Sequence, residues 1–156
     1  VGVDADDAIF CKVKANNFRA LDKCSLRRTD FRGAELRTAN LRGANLRGSD
    51  LSGATLDMAD LSEANLREAK LCRASAREAH FIRSDLRQAD LTAANLRESL
   101  LSKADIRGAD FKGSNLFRCD FARIRGDKAT NFDKALMTHI RFVQSSTPSI
   151  VDQGAG

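Results

Sequence analysis

Two histidines, His80 and His139, and four cysteines, Cys11, Cys24, Cys72 and Cys119, are the side chains from which nucleophilic, redox or metal chemistry would have to be assembled. They are too scattered to do it. No Cys-x-x-Cys and no Cys/His cluster with zinc-site spacing is present, and no histidine stands beside a candidate nucleophile. His80 therefore reads as a surface residue rather than a ligand or base. Carboxylates such as Asp90 and Asp110 could work as an acid and a base, but only if the fold enclosed them and raised a pKa. There is no Gly-rich phosphate loop. The expectation is a protein without catalytic residues, cofactor or metal, whose chemistry is surface recognition.

The elements that must position such a surface follow from composition and periodicity. The chain has 156 residues, 26 Lys plus Arg against 21 Asp plus Glu, no Trp, no Tyr and 42% hydrophobic residues, which suits one ordinary domain. No stretch approaches the roughly 18 apolar residues of a membrane span, and no secretory leader stands at the N-terminus. A soluble, cytoplasmic protein is the favoured reading. Because the sequence starts at Val1, a processed or targeted form and a fragment of a longer chain both stay open.

A period of five runs without slippage from Cys24 to Arg123. Its large apolar centres include Leu26, Phe31, Leu46, Leu51, Leu56, Leu61, Leu66, Leu71, Phe81, Leu86, Leu91, Leu96, Ile106, Phe111 and Phe121, and only Ala76 breaks the series. Two positions earlier the residue is always small, as at Ala39, Ala44, Ser49, Thr29 and Cys119. A helix advances about 100° per residue, so centres five apart would smear over every face. A flat strand fails too, because five is odd and successive centres would alternate sides. The chain must turn once per unit. Three extended residues reading small-in, polar-out, large-in, then a two-residue corner, satisfy the pattern and coil into a β-solenoid with a leucine-filled interior. Gly33, Gly43, Gly48, Gly53, Gly108 and Gly113 close corners and suit the positive φ of a type II turn, whereas corners ending in Met58, Glu63 or Glu68 are expected to bend differently.

Units such as Ala39-Asn40-Leu41-Arg42-Gly43, Ala44-Asn45-Leu46-Arg47-Gly48 and Ala109-Asp110-Phe111-Lys112-Gly113 closely resemble the A(D/N)LXX motif of pentapeptide repeat proteins. The resemblance implies an all-β protein, a right-handed quadrilateral β-helix of five to six coils. Four units would make a coil, and residues twenty apart would stack about 4.8 Å apart. Residues 1–23 are expected to form an N-terminal cap and leading coil, with a short helix over 4–15 or an irregular coil as alternatives. The repeat β-helix proper is expected over 24–123. After Arg123 the register slips by one and resumes at Phe132, Met137 and Phe142, so 124–143 is expected to be a shifted final coil and cap, and 144–156 a flexible tail.

With that stacking, Arg27, Arg47, Arg67, Arg87 and Arg107 form one column, with Asp30, Asp50, Asp90 and Asp110 around the corner to relieve repulsion between guanidiniums. The column is a candidate interaction face. His80, Ile82 and Leu100 fall together on another face as a candidate apolar patch, and Phe117 lies on the face before it. The reading is a rigid protein-protein interaction module or spacer. Its partner is an unidentified protein, and the chain is either a monomer or an end-to-end homodimer through the C-terminal coil, where Ile140, Phe142 and Val143 cover the end or meet another subunit. The alternative is polyanion or nucleic-acid binding through the arginines. A minor alternative, implied by the resemblance to quinolone-resistance proteins, is binding to DNA gyrase or topoisomerase. Against DNA mimicry, which needs acidic faces, stand a net charge of +5 and the fact that the longest charge column is arginine. Cys24 and Cys119 lie nearly five coils apart and cannot pair, leaving Cys11 with Cys24 as the one bridge to consider.

Overall fold

Each five-residue unit places four of its backbone N–H groups in a fixed way, and this accounting generates the architecture. In the unit Asn45 to Ser49, Asn45 donates to the Cys24 carbonyl of the preceding coil at 2.8 Å. Leu46 donates to Asn65 of the following coil at 2.8 Å, and Gly48 to Arg67 at 2.9 Å. Ser49 closes the corner on Leu46 at 3.0 Å. In the computed structural model, which describes residues 5–8 and 21–142, this pattern recurs and the outward residues of successive coils form parallel bridges twenty apart, from Ser25↔Asn45 to Asp105↔Arg125. Four such columns of bridges make a tube of square section. We number its faces by the centres Leu46, Leu51, Leu56 and Leu61.

The fifth N–H belongs to the first corner residue, and the outward Asp or Asn closes it. Asp50 Oδ1 accepts from Ser52 N–H at 3.0 Å, Asp60 from Ser62 at 2.9 Å, Asp90 from Thr92 at 2.9 Å and Asn115 from Phe117 at 3.0 Å. Such side-chain turns satisfy a donor that neither neighbouring coil can reach.

The corners correct an expectation. Met58, Glu63 and Glu68 have φ of 57°, 61° and 60°, beside 65° at Gly53, so these corners bend as the glycine corners do. Stacking imposes the conformation: Met58 N–H donates to Arg77 at 2.9 Å just as Gly53 N–H donates to Cys72 at 3.0 Å. A left-handed residue costs about 1–2 kcal/mol, which the hydrogen bonds and buried core offset.

The interior is filled by the apolar series. Leu46, Leu51, Leu56, Leu61, Leu66, Leu71, Phe81, Leu86, Leu91 and Leu96 are buried, as are Ala76 and the small column beside them. Each large side chain contributes about 1.5–3 kcal/mol as an upper estimate. Serines are tolerated in the small column because the hydroxyl returns to the corner carbonyl, Ser49 Oγ to Leu46 and Ser84 Oγ to Phe81, each at 2.8 Å.

After Arg125 the bridges become twenty-one apart, beginning with Asp110↔Asn131. The extra residue is absorbed at Asp127. Its carboxylate accepts Gly108 N–H at 3.0 Å and Thr130 N–H at 3.1 Å, standing in for a carbonyl that the slip displaces. Phe132 stacks on Phe111 at 5.1 Å and Phe142 meets Phe121 edge-on at 5.9 Å. Ile140 is half-buried, while Leu136 and Phe142 remain 48% and 44% exposed. Val143 and residues 144–156 lie outside the described residues. At the other end, Ala5 and Asp7 donate to Ser25 and Arg27, each at 2.9 Å, and Asp7 has φ 59°. Residues 5–8 thus form a stacked corner and not the helix considered for them. The rest of the expected cap falls outside the described residues.

Candidate interaction surfaces

The column of Arg27, Arg47, Arg67, Arg87 and Arg107 is in place, but its partners differ from the expected ladder. Arg87 forks onto Asp85 at 2.8 and 2.5 Å, and Arg107 onto Asp105 at 2.8 and 2.7 Å. Arg47 and Arg67 share Glu68 at 3.2 and 3.1 Å, and Arg27 approaches Asp6 at 3.8 Å. Hydrogen bonds from Arg87 hold the Asp85 carboxyl below the usual carboxylate range; at Asp105, burial pushes the other way and Arg107 outweighs it. Asp30 pairs with Arg32 at 2.7 Å, while Asp50, Asp90 and Asp110 turn to their own corner amides. The local donor wins because the two-residue loop already holds it within reach of the carboxylate. Arg67, Arg87 and Arg107 border a shallow concavity of about 280 Å³ with Gln88, Gly108 and Asp127.

On the third face stands a residue that the sequence reading missed. Asp57 is buried between Arg37 and Arg77, with Arg37 Nη1 at 2.7 Å and Arg77 Nη2 at 2.8 Å. It also accepts from Ser75 Oγ at 2.6 Å and from Arg77 N–H at 3.1 Å, the corner amide that outward Ser75 leaves open. Burial pushes the Asp57 carboxyl up, but hydrogen bonds from Arg77 and Ser75 prevail and hold it at about 2. The signal was available: Arg37, Asp57 and Arg77 are twenty apart. Farther along this face, the Arg97 and Arg118 guanidiniums lie 5.3 and 5.0 Å from the Phe117 ring centre, and Glu98 pairs with each of them at 3.2 and 3.7 Å. Such contacts satisfy Phe117 within the chain.

His80, Ile82 and Leu100 do come together on the fourth face. His80 and Leu100 are bridged partners in consecutive coils; His80 is exposed and the other two are half-buried. Cys119 is buried, its Sγ donating to the Leu96 carbonyl at 2.9 Å, and burial pushes the thiol up to about 11. Cys72 is half-exposed beside Ser52. Cys11, and with it the Cys11–Cys24 pairing, lies outside the described residues. Among the described residues no group of His, Cys, Asp and Glu is placed to hold a metal ion, and no helix is long and apolar enough to cross a membrane.

Comparison with curated proteins finds no match. Among solved structures, HetL, a pentapeptide repeat protein involved in heterocyst differentiation regulation from the cyanobacterium Nostoc sp. strain PCC 7120, is 22% identical with a TM-score of 0.66, over 88% of this chain and 71% of that one. The Nostoc pentapeptide repeat protein alr5209 is 34% identical over 75% and 86% of the two chains, with a TM-score of 0.40. AT2G44920, a pentapeptide repeat protein from the Arabidopsis thaliana thylakoid lumen, is 28% identical over 67% and 66%, with a TM-score of 0.49. The family described as pentapeptide repeats matches in eight copies over residues 21–57, 59–97 and 84–123. With its square coil, its amide-closing Asp and Asn residues and this match over most of its length, the chain belongs to the pentapeptide repeat family, whose fold is the right-handed quadrilateral β-helix.

Proposed function

We propose that the protein is a rigid, non-catalytic interaction module whose partner is another protein. The observation that carries this reading is the fourth face, where His80, Ile82 and Leu100 stand together on a rod plugged by leucine, phenylalanine and alanine. A filled interior leaves recognition to the outer faces, and an apolar group on an otherwise polar face is a natural contact. Affinity capture from source cells tests it. Proteins retained by the wild type and by an Arg27→Gln, Arg47→Gln, Arg87→Gln variant should be lost with Ile82→Ser, Leu100→Ser; equal capture by all three would refute the assignment.

A second reading, polyanion binding through the arginine column, draws on the concavity between Arg67, Arg87 and Arg107. Its weakness is electrostatic, because every guanidinium of the column already faces a carboxylate. Heparin or duplex-DNA binding measured from about 50 to 300 mM salt decides it: a steep loss of affinity with salt favours this reading, and no binding at low salt removes it. A DNA supercoiling assay with and without a quinolone tests the gyrase-directed alternative, which an absence of effect would eliminate.

A further inference from the structure

We infer that the fourth face recognises carboxylates on an extended acidic segment of a partner protein that also carries apolar side chains. The inference rests on the protein-binding reading above. On this face, Asp60 closes the Ser62 amide at 2.9 Å and Asp120 closes the Ala122 amide at 2.9 Å. In the two coils between them the equivalent positions are His80 and Leu100, which supply no such oxygen. The N–H groups of Ile82 and Ser102 consequently have no acceptor among the described residues. A carboxylate brought by a partner can take the place that Asp60 and Asp120 fill from within the chain.

Positive charge stands beside these two amides. Arg83, Lys103 and Arg123 follow one another at twenty-residue spacing as second corner residues, each with positive φ and each exposed. None of the three has an ion-pair partner among the described residues. Asp85 and Asp105, the nearest carboxylates in sequence to Arg83 and Lys103, are committed to Arg87 at 2.5 Å and Arg107 at 2.7 Å, and Asp120, the nearest to Arg123, accepts the Ala122 amide at 2.9 Å. The contrast with the arginine column is direct: there every cation is compensated, and here a stacked row is not. Uncompensated cations beside open amide donors select a carboxylate. Half-buried Ile82 and Leu100 add an apolar contact that a peptide can use and a phosphate backbone cannot. Asp85, Asp105 and Asp120 border the row and would repel the continuous charge of a nucleic acid, whereas a peptide spaces its carboxylates apart.

The test measures fluorescence anisotropy of a labelled ten-residue peptide of alternating Glu and Leu, with a labelled 20-base-pair DNA duplex as the competing class. His80→Asn, Leu100→Asn closes both amides without adding charge and restores the residue type of regular units, so it should fold at least as well as the wild type. It is expected to weaken peptide binding roughly tenfold, as is Arg83→Gln, Lys103→Gln, Arg123→Gln. Arg27→Gln, Arg47→Gln, Arg87→Gln should leave it unchanged. The inference is overturned if the peptide does not bind, if the asparagine variant binds it as tightly as the wild type, or if the duplex binds this face more tightly than the peptide. Cellular capture by the wild-type protein decides the broader reading separately, so a failure of the acidic-segment inference is distinguishable from a failure of protein binding itself.

Discussion

Replacing Asp57 by asparagine tests whether a side chain buried between stacked coils stabilises the tube through its charge. The carboxylate is 3% exposed and takes hydrogen bonds from two guanidiniums, the Ser75 hydroxyl and the Arg77 amide. Its pKa falls from 3.8 to about 2 on folding, so the folded state holds the proton less tightly than the unfolded one. Above about pH 5 the carboxyl is ionised in both states and its full contribution is present. As pH falls from about 5 to about 2, the unfolded chain takes the proton first and the contribution drains away. At about 1.4 kcal/mol per pKa unit, the shift corresponds to about 2 kcal/mol. An asparagine side chain in its place would keep an oxygen for the Arg77 amide but lose the charge. Asp57→Asn should therefore cost about 2 kcal/mol near neutral pH and almost nothing at about pH 2. Urea unfolding followed by circular dichroism is the assay, since the chain has no Trp or Tyr to serve as a fluorescence probe. A difference between variant and wild type that stays constant from about pH 5 to pH 2 would refute the argument, as would no difference near neutrality.

Leu66→Asp should cost at least about 4 kcal/mol by placing a carboxylate in the filled lumen, whereas Arg67→Ala, which removes a partly exposed ion pair with Glu68, should cost under about 1 kcal/mol. Coincident urea curves for the two would overturn the inward and outward assignment. Gly53→Ala meets no atom within 4 Å, so its cost is purely that of φ 65°, and a loss of about 0.5–1 kcal/mol is expected once the stiffer unfolded chain is counted. Iodoacetamide followed by mass spectrometry should modify half-exposed Cys72 in the folded protein while Cys119 stays protected until urea is added. Equal labelling rates for the two would contradict the packing around Cys119.

The period of five made the core legible, because a column of large residues at odd spacing admits few solutions other than a tube. Twenty-residue stacking brought His80 to Leu100 and aligned the five arginines. It also carried enough information to find Asp57 between Arg37 and Arg77. What failed was reasoning about one residue at a time. Met58, Glu63 and Glu68 lack glycine's freedom, yet they adopt its φ because their amides are claimed by the next coil. Asp50, Asp90 and Asp110 look like counterions for arginines three residues away, yet they turn to amides two residues away, at 3.0, 2.9 and 2.9 Å. In each case a backbone donor at short range outweighs a preference read from side-chain type. Net charge hides the same distinction, since it counts Arg87, which Asp85 compensates, and Arg83, which nothing among the described residues compensates, as equal.

A regular unit closes its own donors and offers a partner little, so recognition is best sought where the repeat departs from its motif. Ser75 departs, but Asp57 from the preceding coil closes the amide it leaves open. His80 and Leu100 depart with no such substitute, on the face where Arg83, Lys103 and Arg123 also lack partners among the described residues. Open departures in consecutive coils beside a stacked row of uncompensated cations, more than the number of arginines on a face, are what mark a candidate for binding; the amides of Asp57 and Cys72, after Thr55 and Lys70, are open among the described residues without such a row.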